Sequence, residues 1–404
     1  MEQDVLVRPE PITERARQRF AYFIAFVAAI GGFLFGYDLV IISGAQIFLR
    51  DYFHLANNPK AYGFAVSCAM IGCMMGPIGG AYLCDKLGRK AVLLIASLLF
   101  VVGAVGTALP RDIITFDIFR IIGGVGVGFA SLASPMYIAE VAPAKKRGAL
   151  GLMYQLAVCV GCTLAVIVAW IMAKTLPDSV SWRWMFISII VPIIAFVLMI
   201  WRAPQSPRWL AEKDRSDEAL DVLTKINGPE VAKEVLDEIN TSLKEEPGSL
   251  RELLQPGVKI ALLTGILLAL FNNLTGWTGV GYYLPTIFQM AGYSKASDAI
   301  GVSLIPNIAG VILTIVAIKL VDRVGRRPLW IVTSAAMFFM LLLMGLVFQL
   351  HVKGPVVILM TLLILAPHSI GLGGLPWLMM SELFPTRIRA WAVSITTTVI
   401  WFAG

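Results

Sequence analysis

The chain has 404 residues, of which 58% are hydrophobic and only 15% charged, and its formal net charge is +7. A soluble domain is about 45–50% apolar and about 25% charged, so there is too little charge here to coat a soluble surface of this size. The same composition speaks against disorder, a collagen-like fibre and a disulfide scaffold, and favours an all-α integral membrane protein.

Residues 1–20 are a charged tail without the apolar core of a cleavable signal peptide. A spanning helix needs about 20 mostly apolar residues. In chain order the candidates fall near 21–49, 62–84, 91–109, 116–139, 149–173 and 183–202. A polar stretch, 203–257, follows. Further candidates lie near 260–290, 298–321, 329–350 and 354–380, and an eleventh begins near 390. Backbone groups left bare in hydrocarbon are too costly for open strands, so these runs read as helices. The division is a tail (1–20), a first bundle (21–202), a cytoplasmic helical linker (203–257) and a second bundle (258–404). The linker carries 12 of the 26 acidic residues and reads as short amphipathic helices punctuated by Gly228-Pro229 and Pro247-Gly248.

With the N-terminus in the cytoplasm, the cytoplasmic segments hold 25 Lys and Arg and the outer loops 7, while Arg120 lies within a span. That asymmetry predicts a cytoplasmic N-terminus. It also accounts for the net positive charge through anionic lipid at the inner face, without nucleic acid as a partner. The five cysteines lie in apolar runs and read as packing residues, Cys159 and Cys162 included. Gly124, Gly126 and Gly128 sit inside a span, where close helix packing explains them better than a dinucleotide loop does. His368 reads as a neutral histidine in a helix interface. No P-loop, metal-ligand cluster or catalytic constellation stands out, so neither enzyme activity, a cofactor nor a metal is expected.

Two short motifs recur in order. Asp85-Lys86-Leu87-Gly88-Arg89-Lys90 returns as Asp322-Arg323-Val324-Gly325-Arg326-Arg327. Ala139-Glu140-Val141-Ala142-Pro143, followed by Arg147, returns as Ser381-Glu382-Leu383-Phe384-Pro385, followed by Arg389. The offsets are 237 and 242 residues, and both motifs fall at equivalent membrane edges. Such internal symmetry marks a duplicated six-plus-six transporter. By the internal analogy, about 40 residues, the rest of an eleventh helix and a twelfth, would lie beyond Gly404.

These motifs, with Phe35-Gly36-Tyr37-Asp38, Arg120 followed by glycines, Pro204-Gln205-Ser206-Pro207-Arg208-Trp209-Leu210, Tyr282-Tyr283 and Pro376-Trp377, resemble the sugar porter family of the major facilitator superfamily. The resemblance covers essentially the whole chain. It implies the major facilitator fold, two six-helix bundles with inverted repeats whose last helices are here incomplete or absent. It also implies alternating-access transport of a sugar or polyol by proton symport, in a plasma or bacterial inner membrane. The alternatives are a proton-independent facilitator, a carrier of a non-sugar such as an inositol or cyclic hydroxy acid, and a transporter-like nutrient sensor.

Asp38 is the acidic residue deepest in any span, and Arg120 the only basic residue well inside one. Ionisable groups at that depth mark function by default, and an Asp–Arg contact that forms and breaks switches the proton affinity of the carboxyl. The resemblance implies Asp38 as proton carrier and Arg120 as its modulator. It assigns Phe35, Gln155, Trp377 and Trp401 to the sugar site. Asn272, Asn273 and Thr278 stand there where the family carries longer or different polar side chains. Tyr282 and Tyr283 are expected at an outer gate. Asp85, Arg89, Lys90, Glu140, Arg147, Arg208, Asp322, Arg326, Arg327, Glu382 and Arg389 are expected in an inner-face charge network that latches the halves. In that network Gln205 replaces a family acidic residue.

Overall fold

The computed structural model describes residues 13–142, 147–244, 250–384 and 388–404. Pro143, Pro385 and the side chains of Arg147, Asp322 and Arg389 lie outside the described residues.

The first half is built from α1 (Glu14–Tyr52), α2 (Pro59–Ser67), α3 (Ala69–Leu87), α4 (Arg89–Ala108), α5 (Ile113–Val141), α6 (Arg147–Thr175), α7 (Asp178–Ile187) and α8 (Ile190–Arg202). The linker holds α9 (Pro207–Glu212), α10 (Ser216–Asn227), α11 (Pro229–Lys244) and a 3₁₀ turn at Leu250–Leu254. The second half has α12 (Pro256–Leu274), α13 (Trp277–Tyr282), α14 (Leu284–Met290), α15 (Ala296–Val302), α16 (Leu304–Val324), α17 (Arg326–Gln349) and α18 (Pro355–Pro367). A π-helical turn at His368–Leu372, α19 (Leu375–Glu382) and α20 (Arg389–Ala403) complete it. Ten stretches of the described residues are long and apolar enough to cross a membrane, and α20 contributes a shorter apolar helix.

Local chemistry sets the helix ends. Asp112 caps α5 by accepting from the Thr115 amide at 2.8 Å, and Ser206 caps α9 by accepting from the Trp209 amide at 3.2 Å. Several spans are jointed. Gly276, with φ 78°, separates α12 from α13, because a left-handed residue ends one helix without a Cβ clash. The single span expected near 260–290 is therefore three helical pieces.

Glycine also sets how closely α3 and α5 pack. A Cβ on Gly72 would collide with the Ile121 carbonyl, and one on Gly76 would lie 2.5 Å from Gly128 Cα. Backbone contact of this kind is how small residues hold helices together in lipid.

The halves meet along two seams, α3 with α20 and α6 with α16. Under the internal repeat these contacts exchange, since α16 is the counterpart of α3 and α20 of α6. The repeat extends to backbone angles: Gly88 has φ 87° and ψ 159°, and Gly325 has φ 86° and ψ 160°. The left-handed φ explains why both motifs carry glycine there. Between the seams lies a cavity of about 220 Å³.

Candidate functional site

The cavity is lined by Phe35 of α1, Gln155 of α6, Asn272 and Asn273 of α12, Thr278 and Tyr282 of α13, Trp377 of α19 and Trp401 of α20. All seven residues assigned to sugar binding from the sequence therefore meet in one place. The aromatic wall is continuous: Phe35 meets Trp401 edge-on with ring centres 5.3 Å apart, and Trp377 lies 6.4 Å from Trp401. Aromatic faces of this kind suit the C–H surface of a ring-shaped polar solute, and a few convergent polar groups fix its orientation.

The amides are less available than the sequence implies. Asn272 Nδ2 donates to the Leu372 carbonyl at 2.5 Å, and Asn273 Nδ2 to the Ile400 carbonyl at 2.6 Å. Thr278 donates its hydroxyl to Asn273 Oδ1 at 2.5 Å. These side chains tie α12 to the π-helical turn and to α20 while edging the cavity. Gln155 is less constrained; its Nε2 approaches Cys159 Sγ at 3.8 Å.

Several lining residues were not assigned to the site from the sequence. Cys159 and Cys162, read as packing residues, line the cavity, and Cys159 Sγ lies 3.3 Å from Thr314 Oγ1. His368, read as an interface residue, also lines it and stacks on Trp277 with ring centres 5.2 Å apart. The signal available for His368 was an ionisable residue inside a span.

Behind the cavity, Asp38 and Arg120 form an ion pair. Arg120 Nη1 lies 3.3 Å from both carboxylate oxygens of Asp38. Asp38 is 4% and Arg120 2% exposed. The guanidinium also faces the Phe186 ring at 5.4 Å, and among the described residues its Nε and Nη2 have no hydrogen-bond partner. Burial this deep makes the pair costly to break by removal of one charge.

At the end of the cavity away from the linker, the buried Gln46 donates to the Tyr282 carbonyl at 2.7 Å and accepts from the Tyr62 hydroxyl at 3.1 Å. Tyr62 packs edge-on against Tyr283, with ring centres 6.2 Å apart. The two tyrosines expected at a gate thus bridge the halves, with Gln46 as an added strut.

At the linker end, Arg89 Nη2 lies 2.8 Å from Glu140 Oε1, and Arg89 Nη1 donates to the Cys84 carbonyl and lies 4.0 Å from Asp85. Lys90 donates to the carbonyls of Trp201 and Ala203 at 3.0 and 2.7 Å. Gln205 Nε2 reaches the Leu87 carbonyl at 3.5 Å, and Arg208 bonds Ser242 within the linker. Glu212, near Arg89 and Asp85, has its carboxyl pushed up by partial burial, which Arg89 opposes. In the second half Arg326 lies 3.2 Å from Glu382, and Arg327 is exposed.

Residues 24–404 match the family described as "Sugar (and other) transporter". The chain is 39% identical over 400 residues to the arabinose-proton symporter of Bacillus subtilis, covering 98% of this chain and 86% of that protein. It is 34% identical over 413 residues to the D-xylose-proton symporter of Escherichia coli K12, covering 95% and 84%. Among solved structures, the major facilitator superfamily proton:xylose symporter XylE bound to 6-bromo-6-deoxy-D-glucose superposes with a TM-score of 0.87 at 33% identity, over 96% of this chain and 87% of that one. The partially occluded inward-open form of the xylose transporter from Escherichia coli gives 0.83 at 31% identity, over 95% and 91%. The protein is an integral membrane transporter of the major facilitator fold and belongs to the sugar (and other) transporter family.

Proposed function

We propose that the chain is a proton-coupled sugar symporter that works by alternating access, with Asp38 as the proton carrier. One observation carries the reading. The same turns of α1 that line the cavity through Phe35, Gly36 and Leu39 hold Asp38 against Arg120 on α5. Occupancy of the cavity and the charge state of Asp38 therefore act on one helix. Supporting it, the relatives above are named as proton symporters of arabinose and xylose.

Protonation of Asp38 removes its charge and weakens its hold on Arg120. The sugar, bound between the aromatic wall and Gln155, supplies contacts that differ between states, and only a differential affinity of that kind moves the equilibrium. The two units, 21–202 and 258–404, then rock about the cavity. Gln46, Tyr282 and Tyr283 close one end, and the Arg89–Glu140 and Arg326–Glu382 clusters hold helix ends at the other. The clusters, the linker and the N-terminus lie in the cytoplasm of a cell with the protein in its plasma or bacterial inner membrane. The 25-to-7 distribution of Lys and Arg supports that orientation.

The test is uptake by the chain in proteoliposomes, with D-xylose, L-arabinose, D-galactose and D-glucose, with and without an inward proton gradient. Wild-type protein should concentrate at least one sugar only when the gradient is present. Asp38→Asn should lose that accumulation and keep counterflow exchange. A mutant that still concentrates sugar removes Asp38 from the carrier role.

A further inference from the structure

We propose that His368 is a specificity-determining residue of the cavity, hydrogen bonding a ring hydroxyl of the solute from the π-helical turn. The proposal rests on the sugar reading above and adds to it a contact made by a residue at the start of that turn.

Most of the cavity's hydrogen-bond donors are already spent within the fold. Asn272 and Asn273 each give an amide hydrogen to a backbone carbonyl, and Thr278 gives its hydroxyl hydrogen to Asn273. Thr314 donates to the Gly310 carbonyl at 2.8 Å, and Asn307 Nδ2 to the Ser303 carbonyl at 2.8 Å. Much of the polar lining is thus committed to the fold. His368 is not: among the described residues its buried Nδ1 has no hydrogen-bond partner. A neutral imidazole carries one donor and one acceptor, which matches a hydroxyl acting as either.

The backbone supplies a second, independent observation. The Gly373 amide donates to the His368 carbonyl at 2.7 Å, the i to i+5 bond of a π-helical turn. Such turns insert one extra residue into a helix and are frequent at functional sites. The Leu372 carbonyl, whose i+4 neighbour Pro376 has no N–H to give, is left for a side chain to satisfy, and Asn272 does so from α12. The ring of His368 is then fixed by stacking on Trp277. Asn272 holds the turn, the turn sets the backbone of His368, and Trp277 sets its plane. Together they hold a cavity-lining side chain whose Nδ1 has no partner among the described residues.

A site built to hydrogen bond a hydroxyl discriminates against the analogue that lacks it, because its own polar group is then left bare. The experiment is equilibrium binding in detergent, read by tryptophan fluorescence, for wild type, His368→Phe and His368→Gln. Phe keeps a ring to stack on Trp277 and removes both nitrogens; Gln keeps a donor and an acceptor. The probes are D-xylose, L-arabinose, D-galactose and D-glucose, then each monodeoxy derivative of the sugar bound best. The expected result is a loss of about 10–100-fold for the parent sugar in His368→Phe, with His368→Gln in between. One monodeoxy derivative should bind wild type and His368→Phe equally, while the others keep the loss. A parent affinity unchanged in His368→Phe, or the same loss for every derivative, overturns the inference and leaves the transport reading standing. A wild type that binds none of these sugars overturns both.

Discussion

Gly88 and Gly325 share the same backbone angles, and each is followed by an arginine that meets a glutamate from a later helix, yet the two ion pairs live in different surroundings. In the first half the Arg89 side chain is 4% exposed and Glu140 12%; in the second, Arg326 is 34% and Glu382 47%. The linker makes much of this difference. Trp209 of α9 lies over the first cluster, buried, and its Nε1 donates to the Asp85 carbonyl at 3.1 Å. Tyr137 adds a hydrogen bond to the Pro204 carbonyl, and Lys90 bonds the carbonyls of Trp201 and Ala203. A repeated sequence motif repeats the backbone. What the motif contributes in energy depends on what covers it.

Glu140→Gln should have the largest effect. It takes the close anionic partner from the buried Arg89 and leaves it Asp85 at 4.0 Å, and removal of one member of a buried pair costs up to about 3–5 kcal/mol. Thermal and denaturant unfolding of the variant in detergent should show that loss. A variant as stable as wild type would mean that Arg89 is reached by water after all, and the contrast between the halves would collapse.

Trp209→Phe probes the linker's share of that stability. A smaller aromatic ring stays, and the hydrogen bond to the Asp85 carbonyl goes together with part of the buried indole. A typical bond of this kind is worth about 0.5–1.5 kcal/mol, and the same unfolding assay should report at least that loss. Combined with Glu140→Gln, it should depart from additivity, because both act on one cluster. Strict additivity would separate the linker from the charges beneath it.

Much of this arrangement is legible in the sequence because hydropathy and motif repetition are one-dimensional signals. The spans, the duplication and the meeting of Asp38 with Arg120 follow from apolar runs and from charges placed where charge is costly. The aromatic wall of Phe35, Trp377 and Trp401 follows from the family resemblance. What escapes is pairing between distant groups. Asn272 and Asn273 look like free amides until the Leu372 and Ile400 carbonyls, 100 and 127 residues away, are seen to take their hydrogens. The π-helical turn at His368 falls in a stretch with Pro367, Gly371, Gly373, Gly374 and Pro376, which marks a weak helix without saying what form the break takes. Gly276, by contrast, was a readable break in the span near 260–290, and it alone would have divided that helix. Gln46, polar and fully buried in α1, was equally visible, but its partners, the Tyr282 carbonyl and Tyr62, come from two other spans.

The smallest effect belongs to the second half. An ion pair as open as Arg326–Glu382 contributes about 0–1 kcal/mol, so Glu382→Gln should leave unfolding within that margin of wild type. Its Coulomb attraction is also screened, since the Debye length falls from about 10 Å at 0.1 M salt to about 3 Å at 1 M. Any difference between Glu382→Gln and wild type should therefore vanish as salt rises over that range, while the deficit of Glu140→Gln persists. In transport the order reverses. A pair that is weak and wet can open and reform in each cycle at little cost, so Glu382→Gln should change the rate of sugar exchange more than it changes stability. Equal and salt-resistant losses of stability in the two variants would show that the halves are energetically alike, and that the linker's cover over Arg89 adds nothing.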